Sequence, residues 1–107
     1  ETMMTLREVC TLCGVTRRAV QGYEKMGLVT PSGRNESGHL LYDEIRQQRI
    51  LYIKKWQDIG FSLREIQELI DAEPEIKRRA LELQICRLQE RQGQITELIR
   101  IATEMME

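Results

Sequence analysis

No stretch of the 107 residues comes near the run of about 18 apolar residues that a membrane-crossing helix needs. Nor does the chain open on a basic leader, a short apolar core and a small-residue cleavage site, the pattern of a secretory signal. A transmembrane helix is excluded, and the expected location is the cytoplasm. Cysteine is scarce, with only Cys10, Cys13 and Cys86. An odd, low count does not staple a small secreted domain and fits a reducing compartment. Metal ligands are few as well. His39 is the sole histidine, so Cys10-x-x-Cys13 is half of a four-ligand zinc site with no second half. There is no Gly-rich phosphate loop and no nucleophile beside a base. The expectation is no enzyme, no metal and no cofactor. An excess of positive charge is also missing: 16 Lys+Arg stand against 17 Asp+Glu, for a net charge of -1. Residues 1–70 hold 10 basic and 9 acidic side chains, and residues 71–107 hold 6 and 8. Nucleic-acid-binding domains are often strongly basic, so such a role must rest on where the basic residues fall.

What is present is a chain of 41% hydrophobic and 31% charged residues, a balance that fits a folded, helix-rich protein. Thr5-Leu6-Arg7-Glu8 is a capping box. It opens a short helix with Leu6, Val9 and Cys10 on one side and Leu12 beside them. Gly14 can take the left-handed conformation of a sharp turn, and Val15 closes the corner. Thr16 caps a second helix whose inward stripe is Ala19, Val20 and Tyr23, ended by Gly27. Two short helices across a Gly-containing turn make a helix-turn-helix pattern over about residues 5–26, whose second helix can enter a major groove. From Leu28 to Tyr42 a polar cluster with Pro31, Gly33 and Gly38 lies between two apolar pairs and reads as a β-hairpin, or wing. Asp43 caps a third helix carrying Ile45, Ile50, Leu51, Ile53, Lys54 and Trp56, and Gly60 ends it. Ser62-Leu63-Arg64-Glu65 is another capping box and opens a brief fourth helix, so that a helix pair fills about 43–72. A head of about 70 residues, 1–72, has a modest core that is marginal alone.

Beyond Pro74, residues 75–107 read as one helix of about 30 residues, roughly 45 Å long. Leu81, Ile85, Leu88, Gln92, Ile95, Ile99, Ala102 and Met106 recur at alternating spacings of four and three. That is a heptad seam with one polar layer, at Gln92. Burying each seam Leu or Ile is worth about 1.5–3 kcal/mol, and the chain has no second helix of this length. A second copy of the helix is the expected partner. The fold class is thus mainly α, a winged helix-turn-helix domain followed by a long coiled-coil dimerisation helix.

This order of elements resembles the MerR family of transcription regulators. The resemblance is carried by Thr5-Leu6-Arg7-Glu8-Val9, by Gly14-Val15-Thr16, and by Tyr23-Glu24-Lys25-Met26-Gly27-Leu28-Val29-Thr30-Pro31. Arg34, Gly38 and Tyr42-Asp43 match the wing. Arg49-Ile50 and Ile59-Gly60-Phe61-Ser62-Leu63, with Glu65-Ile66, match the helix pair. The resemblance implies a homodimer joined by an antiparallel coiled coil, bound to double-stranded DNA at a near-palindromic promoter operator. It also implies that bending and untwisting of that DNA lets RNA polymerase engage. Two departures stand out. Where the family pattern has Arg and Tyr before its Tyr-Glu, this chain has Gln21 and Gly22. The wing's Gly-Tyr-Arg is here Gly38-His39-Leu40. Phosphate-gripping groups are thereby lost, and Arg17 and Arg18 at the start of the reading helix are the expected compensation.

The expected DNA-facing set is accordingly Thr16, Arg17, Arg18, Gln21 and Tyr23 from the reading helix, and Arg34, Ser37, Gly38, His39 and Tyr42 from the wing. Arg pairs with guanine and Gln with adenine in the major groove, while the wing's work is positioning on phosphates, partly through the backbone near Ser37-Gly38. Tyr23 is expected to donate its hydroxyl to a phosphate with its ring in the core. Tyr42 has two readings, phosphate donor or buried wing base. Trp56 and Phe61 are expected core aromatics, Cys10 a small buried hydrophobe, and Cys86 a residue near the seam. Two other functions stay open on sequence alone: an architectural or excisionase-like DNA-bending protein, and a coiled-coil interaction module without DNA binding. No effector domain follows the helix up to Glu107, which leaves a minimal regulator and a fragment both open.

Overall fold

The computed structural model describes residues 3–107; Glu1 and Thr2, with which the expected head begins, lie outside the described residues. The chain divides into two compact units, one reaching Asp71 and the other Ala72–Glu107. The first unit contains β1 (Met4–Thr5), α1 (Leu6–Cys13), α2 (Arg17–Lys25), β2 (Gly33–Arg34), β3 (Leu40–Tyr42), α3 (Glu44–Asp58) and α4 (Leu63–Leu69). The second is α5 (Pro74–Met105). The architecture is a mainly helical winged head followed by a long helix.

Local chemistry sets the helix starts. The Glu8 amide donates to Thr5 Oγ1 at 3.3 Å, and the Thr5 amide donates back to Glu8 Oε1 at 2.9 Å. This reciprocal cap satisfies two amides that a helix start otherwise leaves open. Gly14 follows α1 at φ 69, where a Cβ would crowd the backbone. Thr16 then accepts from the Ala19 amide at 3.0 Å and opens α2. Asp43 and Ser62 cap α3 and α4 in the same way. Val9, Val20, Tyr23, Tyr42, Ile50, Ile53 and Ile66 form the centre of the core, each 1% exposed or less. Trp56 and Phe61 pack edge to face at 5.1 Å beside it.

Leu12, expected beside the inward stripe of α1, points out. It is 58% exposed, and Cys13 takes the inward place because it continues the Leu6–Val9 stripe one turn on. Ile45 is 77% exposed. The buried position in the first turn of α3 belongs instead to Gln47, whose Nε2 donates to the Tyr42 carbonyl at 2.9 Å.

The hairpin of β2 and β3 forms where the turn residues place it, with Arg34 opposite Leu40. A third strand, β1, was not expected. It pairs antiparallel with β3, Met4 opposite Tyr42 and Thr5 opposite Leu41, giving the order β1-β3-β2. Two residues carry no alternation to read, so β1 is a strand only by virtue of its partner. The pairing ties the start of α1 to the wing.

Gly22 sits inside α2 with ordinary helical geometry. A Cβ there would meet Leu63 Cδ1 at 3.9 Å, a normal contact. Gly22→Ala is expected to stabilise the head by about 0.5–1 kcal/mol, since Ala orders at lower entropic cost in a helix. A rise in the urea midpoint at unchanged m-value would show it; a fall would mean that the extra methyl is not accommodated.

Pro74 is the first residue of α5, where its missing N–H is no loss. The 32-residue helix is about 48 Å long. It buries none of its residues. Seam residues Ile85, Ile95, Ile99 and Met106 are 52%, 49%, 60% and 82% exposed. Arg79–Glu75, Arg100–Glu97 and Arg100–Glu104 ion pairs occupy a different side of the helix.

Candidate nucleic-acid interface

Burial of Val20 and Tyr23 decides which side of α2 faces out. Arg17, Arg18 and Gln21 are all exposed on the opposite side, with Lys25 one turn further along. Together they fall within an arc of about 100°. Thr16 at the helix start is exposed as well. Its oxygen accepts the capping bond, which leaves the hydroxyl proton for an outside acceptor. Lys25 was missed by the sequence reading. It stands inside the Tyr23–Pro31 motif, and the same helical spacing that picked out Gln21 reaches it.

The two tyrosines turn inward. Tyr23 is 1% exposed, and its hydroxyl donates to Gln57 Oε1 of α3 at 2.6 Å. Tyr42 is fully buried, and its hydroxyl donates to Glu24 Oε2 of α2. Burial, and then the Asp58 charge, push the Tyr23 hydroxyl pKa up. Burial, and then the bond to Glu24, push that of Tyr42 up as well. Both therefore remain protonated donors committed to internal acceptors. The expected Tyr23–phosphate contact is corrected accordingly: a buried ring needs a nearby partner for its hydroxyl, and Gln57 is that partner. Of the two readings of Tyr42, the buried one holds, and its bond to Glu24 joins the reading helix to the wing.

The wing tip is built around Asn35, another residue the sequence reading missed. Its Oδ1 accepts from the amides of Ser37 and His39, each at 2.9 Å. Its backbone carbonyl accepts from the Gly38 amide at 3.0 Å. Arg34 Nη1 donates to the Gly38 carbonyl at 2.6 Å, and Gly38 adopts φ 86. The amides of Ser37, Gly38 and His39 are thus used inside the turn. The expectation that backbone donors near Ser37-Gly38 hold a phosphate is corrected on that ground. Gly38 serves the turn's conformation, and what the tip offers outward is the side chains of Arg34, Glu36, Ser37 and His39. An Asn in a polar turn, two residues ahead of the amide it binds, is the Asx-turn signal that could have found Asn35. Asn35→Ala is expected to leave the fold intact at a cost of about 1 kcal/mol or less, since the freed amides reach water. Hydrogen exchange at Ser37 and His39 should speed up while core amides stay protected; unchanged exchange at both would show that the turn holds without the Asn35 side chain.

Between the start of α1, the start of α2 and the wing lies an open concavity of about 560 Å³. Arg7, Arg17, Arg34 and His39 line it, along with Thr5 and Leu40, and no carboxylate does. Arg7 did not figure among the expected DNA-facing residues. The β1–β3 pairing and the packing of α1 on β3 bring it beside the wing. The head's near-neutral charge is spatially sorted. Among the described residues, its ion pairs are Arg46–Asp43, Arg49–Asp71 and Lys54–Asp58. Glu8 is held in its cap and Glu24 by Tyr42. Arg7, Arg17, Arg18 and Arg34 enter none of these ion pairs and outnumber Glu36, the exposed acid of the wing, so an excess of positive charge collects on the face made by α2, the concavity and the wing.

Cys10 is half-buried rather than buried, because the inward stripe passes through Cys13. Cys13 Sγ lies 3.8 Å from the Gln47 carbonyl oxygen. Burial raises the pKa of both thiols, which disfavours the reactive thiolate. Cys86 is exposed on α5. Among the described residues, no three His, Cys, Asp or Glu side chains gather as a metal-binding set, and no helix is long and apolar enough to cross a membrane.

Comparison with known proteins places this geometry. Residues 4–73 match the family model described as MerR HTH family regulatory protein. The chain is 30% identical over 103 residues to a Bacillus cereus mercuric resistance operon regulatory protein, covering 94% of this chain and 78% of that one. Among solved structures, a MerR family transcriptional regulator from Bacillus cereus superposes with a TM-score of 0.80 at 32% identity, over 97% of this chain and 80% of that chain. The fold is shared also with HiNmlR, described as a MerR family regulator lacking the sensor domain and bound to promoter DNA, with a TM-score of 0.61 at 23% identity over 92% of this chain and 77% of that one. The chain belongs to the MerR family of helix-turn-helix regulatory proteins.

Proposed function

We propose that the protein is a sequence-specific transcriptional regulator that binds double-stranded promoter DNA as a homodimer. The observation that carries this reading is the cationic face of the head. Arg17, Arg18 and Gln21 project from a helix whose other side is buried, and Arg34, Ser37 and His39 project from an adjoining wing, without ion-pair partners among the described residues. Arg and Gln on the helix are suited to base edges, and the wing to phosphates. Thr16 adds a hydroxyl at the helix start. Relatives described as operon regulators, and a fold-mate described as bound to promoter DNA, support the same reading.

The homodimer rests on α5, whose apolar seam is open along its length. The seam spacing is the same read from either end. In the antiparallel arrangement that the family resemblance implies, Leu81 lies opposite the partner's Met106, Ile85 opposite Ala102, Leu88 opposite Ile99, and Gln92 opposite Ile95. A two-fold dimer of this kind presents two reading helices to an inverted repeat. Bending and untwisting of the operator, and through it engagement of RNA polymerase, complete the proposal. Its place of action is the cytoplasm, where the DNA is.

Selection of bound duplexes from a random library at about 150 mM salt, where phosphate-only binding fades, tests it. Enrichment of an inverted repeat is the expected result. Retention of DNA only at low salt, without enrichment, would indicate an architectural DNA-bending protein. No retention at any salt would leave an interaction module.

A further inference from the structure

The concavity between α1, α2 and the wing has a role of its own, which rests on the DNA-binding reading above. We propose that it seats a phosphate of the DNA backbone and that Arg7, from the first turn of α1, grips that phosphate together with Arg34 of the wing. Three separate elements bring cationic or ionisable side chains to one open hollow, and its lining holds no carboxylate. The nearest acid in sequence, Glu8, is not part of the lining and is engaged in its cap, accepting from the Thr5 amide and hydroxyl. Arg7 is exposed and in no ion pair among the described residues. The guanidinium fork matches phosphate oxygens in geometry as well as charge.

The hollow is also preformed. The capping box holds the first turn of α1, and the β1–β3 ladder fixes that turn against the wing. Arg34 uses one of its five donors on the Gly38 carbonyl, which leaves the rest free and the side chain oriented. Little ordering remains to be done on binding, which favours affinity. Leu40 lines the same hollow, at the wing position where the resemblance leads one to expect Arg. Arg7 returns from α1 the charge that Leu40 lacks. Because a phosphate carries no sequence information, Arg7 is a positioning residue: it sets register and affinity, not base preference.

The test compares the intact protein with Arg7→Ala, Arg7→Lys and Arg17→Ala on the duplex selected above, over a range of salt. Arg7 is exposed, so all forms should melt alike. Arg7→Ala is expected to bind about tenfold more weakly, with the log-log salt slope reduced by about one unit per head and the selected motif unchanged. Arg7→Lys should keep the slope. A methylphosphonate scan of the duplex adds an independent readout: at one linkage per half-site the neutral phosphate should weaken the intact protein but not Arg7→Ala. Wild-type affinity and slope in Arg7→Ala, while Arg17→Ala loses affinity, would overturn the inference and leave the DNA reading standing. Absence of specific binding by the intact protein would overturn that reading, and the inference with it.

Discussion

Ile95→Asp is expected to leave the protein monomeric at micromolar concentration and to abolish binding to a two-half-site operator. Ile95 stands near the middle of the α5 seam and is 49% exposed in the single chain. In a homodimer each substitution acts twice. Losing the burial of two isoleucines removes roughly 4 kcal/mol, or about a thousandfold in the dimer dissociation constant. The carboxylates add to this, because a charge without a partner is costly to bury. Sedimentation velocity reads the change directly, and gel shift on the selected duplex reads its consequence. The effect on DNA is large because two heads held by one dimer bind with a high effective concentration, which a free head lacks. Glu97→Ala is the matched control. It breaks an exposed ion pair with Arg100 on another side of the helix, and exposed pairs contribute little, so the dimer should persist. A dimer that survives Ile95→Asp would place the interface elsewhere than on this seam.

Arg17→Ala should have the next largest effect, a loss of about 10- to 100-fold in operator affinity for each half-site. That range follows from about 1–3 kcal/mol for a good bidentate pair with a base. Arg17 is the place to look because it alone belongs to both surfaces, standing at the exposed start of α2 and lining the concavity beside the wing. A base contact and a phosphate contact differ in signature. If Arg17 reads a base, preference at one position of the selected motif relaxes while the salt slope barely moves. If it holds a phosphate, the slope falls by about one unit per head and preference stays. Unchanged affinity would show that the reading helix is turned away from the groove and would remove the central support of the proposed function. Because Arg17 lies outside the core, a melt matching the wild type will separate these outcomes from misfolding.

Much of the fold was legible because its signals are local. Thr5–Glu8 and Ser62–Glu65 announce helix starts within four residues, since the cap bonds close within one turn. Gly14 marks the turn because only a residue without Cβ sits comfortably at φ 69. The heptad spacing of α5 shows an apolar seam without any knowledge of what covers it. Where the sequence reading erred, the competing possibilities were locally equal. Leu12 and Cys13 are adjacent, and a rotation of about 100° decides between them. Ring burial of Tyr23 could be read from its stripe, but not the direction of its hydroxyl, which depends on Gln57, 34 residues away.

The sequence by itself determined the order of the elements, the caps that begin the helices, the outward side of the reading helix and the seam of α5. Each of these is settled by neighbours within a turn or two of the chain. The tertiary structure alone decided which polar groups remain for a ligand. It turned the Tyr23 and Tyr42 hydroxyls onto Gln57 and Glu24 and paired Arg49 with Asp71. Through β1 and the packing of α1 on β3 it set Arg7 beside Arg34. The physical reason is that each of these contacts is made with a partner far along the chain, which only folding brings within reach.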